Sequence, residues 1–159
     1  NSGLSYGPKE FELDLDDFGK LHPELNIKKL PRLKQSALWA ILKDKRVIVL
    51  DQFGVYHGSH LNNILKESLA LGRPVITGSL GGKNDYHLLK SYNGESPPIE
   101  EAHTSTDISV RIYETLQKDL LTLEQDSMKR VSFAKSHLDI KVCYSKILKY
   151  IDSLISGEF

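Results

Sequence analysis

Two short apolar runs, Val47-Ile48-Val49-Leu50 and Pro74-Val75-Ile76-Thr77, flank a stretch with helical spacing. Continuous β-branched runs belong to strands buried on both faces, as in parallel sheets. Proline opens the second run, where a missing N–H is tolerated. Between them, Ile64, Leu65, Ala70 and Leu71 mark a helix from about Leu61 to Leu71, and Gly72 supplies its stop. Two parallel strands need a crossover of this kind, and the crossover is right-handed. A helix from Ser36 to about Lys43, with Leu38, Ile41 and Leu42 on one face, precedes the first strand. The alternation predicts an α/β domain, a Rossmann-like three-layer α/β/α arrangement around a parallel sheet.

In such sheets ligands bind outside the carboxyl ends of the strands. Topology alone therefore puts a site on the loops Asp51 to Ser59 and Thr77 to Asp85, both rich in glycine and polar residues. The remainder reads as a closing helical segment. Residues 84–104 are loop-like, with a short helix at Tyr86 to Leu89. Thr104-Ser105-Thr106-Asp107 forms a capping box that opens a helix carrying Ile108, Ile112, Leu116 and Leu120. A second helix holds Met128, Val131 and Ala134, and a third holds Ile140, Tyr144, Ile147, Ile151 and Leu154. Residues 1–33 form a poorly defined N-terminal segment, with strand-like alternation at Phe11 to Asp16 and a short strand at Ile27 to Leu30. Residues 34–159 make the main domain.

Composition excludes several classes. Of 159 residues, 40% are hydrophobic and 26% charged, with 21 basic against 21 acidic side chains. That balance fits a folded domain and not a disordered chain. Zero net charge argues against bulk nucleic-acid binding, which needs many cations facing phosphates. No apolar run approaches the ~18 residues of a spanning helix. One cysteine, Cys143, precludes a disulfide framework and points to a reducing cytoplasm. It lies in the apolar stripe of the last helix and reads as a core residue. The chain opens on Asn1 and its only methionine is Met128, which reads as a processed product or a piece of something longer.

Several residues are suited to chemistry. Glu67, on the crossover helix, can accept hydrogen bonds from vicinal hydroxyls; its bland alternative is a solvated helical glutamate beside Lys66. The loop Gly78 to Gly82 can present amides to an anion, or be a plain turn. His57 and His60 flank Gly58 and suit a sugar or phosphate contact, or a surface role. They lack the third ligand of a metal site. Asp14, Asp16 and Asp17 read as a solvated acidic edge rather than a cation site. Ser59 has no base and acid arranged around it for a hydrolase triad. No metal is expected.

Taken as one string, residues 47–82 say more. Val47-Ile48-Val49-Leu50-Asp51-Gln52-Phe53 leads to Gly58. Lys66-Glu67-Ser68-Leu69-Ala70-Leu71-Gly72-Arg73-Pro74-Val75-Ile76-Thr77 follows, and then Gly81-Gly82-Lys83-Asn84-Asp85. This resembles the donor-binding C-terminal domain of GT-B glycosyltransferases, especially the retaining family-four type. Pro97-Pro98-Ile99 and His103-Thr104, followed by three helices, resemble that family's closing segment. The resemblance covers roughly residues 30–155.

The resemblance implies a hexosyltransferase that moves a sugar from an NDP-sugar to a hydroxyl. It implies an acceptor-binding domain supplied by the parent chain or a partner subunit, and no obligatory metal. Glu67 matches the second glutamate of the family's paired motif, which grips the ribose. Gly81 and Gly82 match the loop at the donor's sugar or diphosphate, and Asp85 stands where the family has glutamate. Leu61, Asn62 and Asn63 fall where helix-start amides approach the diphosphate. Two positions depart: the first paired glutamate is Ser59, and a glycine of the family is Asn62. Lys9 and Arg32 are unanchored candidates for the family's diphosphate-neutralising cations. Other readings are a sugar-nucleotide epimerase, a split enzyme, and a nucleotide-sugar-binding or scaffold subunit without activity.

Overall fold

The computed structural model describes residues 17, 19–20, 22–28, 30–31, 33–51, 63–78, 92, 94–102 and 104–156. The chain is a mixed α/β structure. Its elements are α1 (Gln35–Leu42), β1 (Val49–Asp51), α2 (Asn63–Ala70), β2 (Val75–Thr77), β3 (Glu100–Glu101), α3 (Ser105–Leu116), α4 (Leu120–His137) and α5 (Ile140–Ser156). The three strands form one parallel sheet in the order β1-β2-β3. Val49 pairs with Val75 and Ile76 with Glu100, so every strand starts on the same edge.

Pleat alternation divides the apolar residues between the two sheet faces. Val49, Val75 and Ile99 join Leu42 of α1, Leu65 and Leu69 of α2, and Phe133 and Ala134 of α4 in one cluster. Ile76 joins Ala102 and Ile108 and Ile112 of α3 in another, with Ile48 and Leu50 packed against it. Leu65, Leu69 and Ile76 are fully buried. At ~25 cal/mol per Å² of apolar surface, these side chains are the main favourable contribution to the fold.

Local chemistry fixes the boundaries. Gly72 ends the α2 region at φ 71°, in the left-handed region, and a Cβ there would run into Ser127 Oγ of α4. Glycine is therefore required twice over at this position. Thr104 and Asp107 cap α3 reciprocally, as the sequence predicts. Asp119 caps α4 by accepting from the amide of Thr122 at 2.8 Å. The segment before β3 is tied to the end of α4. There, His137 Nε2 lies 2.7 Å from Glu95 Oε2, and Tyr92 packs edge-on against Phe133 and His137. Burial pushes the Tyr92 hydroxyl above its ordinary pKa.

The structure corrects several sequence expectations. α1 starts at Gln35 with Lys34 as an uncapped N-cap, rather than at a Ser36 cap. β1 starts at Val49, not Val47, because the ladder begins where the Val49 amide donates to the Pro74 carbonyl. Ile27, Lys28 and Leu30 are irregular, not a strand. Leu116 and Leu120 belong to different helices, because Asp119 starts a new one. β3 arises inside the stretch read as loop. Cys143 is exposed, not core, with its thiol 3.6 Å from the His137 carbonyl. Expectations for Phe11 to Asp16 and Tyr86 to Leu89 lie outside the described residues.

Candidate functional site

α2 follows the carboxyl end of β1, so its first turn stands at the edge where an α/β sheet presents its loops. One face of α2 is apolar and dry, with Leu65, Ser68 and Leu69 buried. Ser68 satisfies its own hydroxyl by donating to the Ile64 carbonyl at 2.6 Å. Glu67, next to this face, is half-buried. Its Oε1 accepts from Gln35 Nε2, at the first residue of α1, at 2.8 Å. Its Oε2 is shielded from solvent and has no hydrogen-bond partner among the described residues. An ionised carboxylate has room for about four hydrogen bonds, so Glu67 retains accepting capacity that no described residue uses.

Of the residues singled out in sequence, Asn63 and Glu67 are described. They lie four apart on α2, so they share one side of the helix; Asn63 is its exposed first residue. Gly58, Ser59, Leu61, Asn62, Gly81, Gly82, Asp85, His57 and His60 lie outside the described residues, as do Lys9 and Arg32. Thr77, the last residue of β2, is fully buried, and its carbonyl accepts from the Ala102 amide at 3.1 Å. Asp17 is exposed and bonded to Lys20 at 2.7 Å; Asp14 and Asp16 are outside the described residues. Among the described residues no group of three or more His, Cys, Asp or Glu is placed to hold a metal.

Gln35 is the residue that sequence reasoning missed. Nothing in the sequence marks it. It is a polar residue at a helix start, and only the packing of α1 beside α2 makes it a neighbour of Glu67. By donating to one oxygen it restricts how the carboxylate turns.

Strong electrostatic perturbation lies at the opposite, amino-terminal edge of the sheet. There Arg46 hydrogen-bonds Asp44 through its side chain and amide and holds the carboxyl down to about 2. Burial lowers the pKa of the Arg73 and Arg130 guanidinium groups at that edge. The two edges thus differ in kind: one offers a shielded carboxylate oxygen, the other buried cations.

No helix among the described residues is long and apolar enough to cross a membrane. Compared with protein-family models, curated proteins and solved structures, the chain finds no match in any of the three.

Proposed function

We propose that this chain is the nucleotide-sugar-binding domain of a GT-B glycosyltransferase. In this reading it works with an acceptor-binding domain to move a sugar from an NDP-sugar to a hydroxyl. The observation that carries the reading is Glu67: a half-buried carboxylate on the helix after a parallel strand, with one oxygen pinned by Gln35 and the other unpaired. A ribose offers two adjacent O–H donors, which is the complement such a carboxylate lacks. The apolar clusters on both sheet faces support the three-layer Rossmann-like form of the domain.

In this reading Glu67 orients the nucleotide by accepting from its ribose. Asn63 stands at the helix start, where backbone amides and the positive end of the helix dipole favour the diphosphate. The acceptor oxygen bonds to the anomeric carbon as the carbon–oxygen bond to the diphosphate breaks, and the acceptor's proton passes to the departing diphosphate. The protein's task is to stabilise the negative charge that builds on the leaving group. The single cysteine agrees with a reducing, cytoplasmic setting.

Calorimetric titration with UDP, GDP and ADP tests the reading. One nucleotide is expected to bind, and Glu67→Ala to weaken it by about 1.5–3 kcal/mol, the range for hydrogen bonds to a charged group. An unchanged affinity in the variant removes Glu67 from the site. Ser59, standing where the family has its first glutamate, favours a second reading: a nucleotide-sugar-binding subunit without transferase activity. Sugar transfer by this chain when combined with an acceptor half decides between the two.

A further inference from the structure

The three strands begin at one edge, and three segments meet there. Arg73 lies two residues before β2 and is buried. Its Nε donates to the Leu71 carbonyl at 2.9 Å and its Nη1 to the Asp44 carbonyl, in the turn before β1, at 3.3 Å. The neighbouring Gly72 rests directly on Ser127 of α4. One turn further along α4 stands Arg130, which is 5% exposed. The Gly72–Ser127 contact therefore brings the two arginines to the same edge.

Arg130 is the unusual member. Its Nε is buried and has no hydrogen-bond partner among the described residues. The carboxylates facing it are Asp126 and Glu100, and Arg73 adds a second positive charge. Asp126 is engaged elsewhere, by Lys118 at 2.7 Å and Lys129 at 3.5 Å. Among the described residues no carboxylate lies within ion-pair distance of Arg130. A guanidinium presents five N–H donors and cannot shed its proton in a protein. Its Nε is thus a buried donor without an acceptor among the described residues, and a buried polar group left so costs free energy. Buried polar groups are nearly always satisfied, by protein, water or an ion.

We infer that Arg73 and Arg130 form a binding site for a small oxyanion of the phosphate or sulfate class, at the sheet edge opposite Glu67. The planar fork of Arg130 suits two oxygens of such an ion, where a lysine would offer a point charge. The burial of both arginines selects a free ion over the phosphate of a bulky ester. The ion neutralises the cation excess and ties the α1–β1 turn, the α2–β2 turn and α4 together. It therefore stabilises the fold, and it does so independently of nucleotide.

The probe is inorganic phosphate, titrated into the full chain by calorimetry and by thermal unfolding, at ionic strength held constant with sodium chloride. Saturable one-site binding is expected, with a rise of several degrees in the unfolding midpoint at saturation. Arg130→Met is expected to weaken phosphate binding at least about tenfold, and Arg73→Gln to weaken it as well. Methyl phosphate in place of phosphate distinguishes the source of the oxyanion, and the free ion is expected to bind more tightly. The absence of saturable binding to the wild-type chain overturns the site. Full retention of binding in the variants overturns it too. Where Arg130→Met does not fold, the wild-type titration and Arg73→Gln still decide.

Discussion

α4 and α5 are consecutive helices of almost equal length, 18 and 17 residues, and they treat their apolar side chains in opposite ways. α4 buries Arg130, Phe133, Ala134 and His137, a mixed set with an arginine and a histidine in it. It leaves Leu120, Leu121 and Met128 exposed. α5 has the cleaner pattern, with Ile140, Tyr144, Ile147 and Ile151 recurring every three or four residues. Yet all four are exposed, Ile140 at 80% and Ile151 at 43%. The half-buried positions of α5 are Val142, Lys146 and Ser153, on the other side of the helix. Helical spacing of apolar residues thus says that a helix has a face to cover. It does not say that this chain covers it, and Cys143, in the same stripe, is exposed with it.

The largest effect that this contrast predicts is in the α4 contact. Phe133 is 2% exposed and packs against Tyr92 and His137 at ring distances of 5.2 and 4.7 Å for the Tyr92–Phe133 and Phe133–His137 pairs. Phe133→Ala is expected to cost about 3–5 kcal/mol in denaturant unfolding, the range for a buried aromatic. A loss below about 1 kcal/mol would mean that α4 is not the covering helix of this sheet face.

Gly72→Ala comes next. It combines a non-glycine residue in the left-handed region with a clash against Ser127 Oγ. Each carries a cost of order 1–2 kcal/mol, so about 2–4 kcal/mol is expected in total. Ser127→Ala in the same chain should restore the clash part alone. Complete rescue by it would show that the backbone conformation at Gly72 is unstrained for alanine.

Much of the α2 and β2 region was legible in the sequence. A β-branched run and a glycine stop each have one physical reading. So does the Thr104–Asp107 capping box, which the structure reproduces in both directions. Pro74, read as the first residue of the second strand, stands just before it, since β2 starts at Val75. β3 was not legible. Glu100 and Glu101 have poor strand propensity, and they become a strand only because β2 offers them a ladder. Gln35 was not legible either, since its partner is set by how two helices pack. At the candidate site Glu67 stood out through its place on the crossover helix and the resemblance, and Asn63 through the resemblance alone; both lie on α2. Arg130 was invisible, because an arginine on a helix is normally read as solvated.

Asp126 sharpens the picture of the inward side of α4 with a smaller effect. The hydrogen bond from Lys118 is the main cause that holds its carboxyl below the usual value. A depressed folded pKa means stability that is present above the unfolded pKa of about 3.9 and lost as pH falls through the folded value. Asp126→Asn is expected to cost less than about 1 kcal/mol at neutral pH. The gap between variant and wild type should close on acidification. A gap that persists unchanged once the Asp126 carboxyl is protonated would show that the loss comes from packing and not from charge.

Ile147→Ser, in the middle of the exposed stripe of α5, is the smallest expected effect and the most informative about that helix. Ile147 is 54% exposed. Serine is slightly poorer than isoleucine at nothing that this position requires, since their helix propensities are close. An exposed substitution of this kind stays within about 0.5 kcal/mol of wild type. The same change at a covered position removes a buried branched side chain and leaves a hydroxyl, at a cost of several kcal/mol. The measurement therefore separates two states of the helix in the isolated chain. A shift near zero keeps α5 as it is described, with its apolar face turned to water. A loss of about 2 kcal/mol or more would mean that the stripe is covered in solution, and the contrast between α4 and α5 would then disappear.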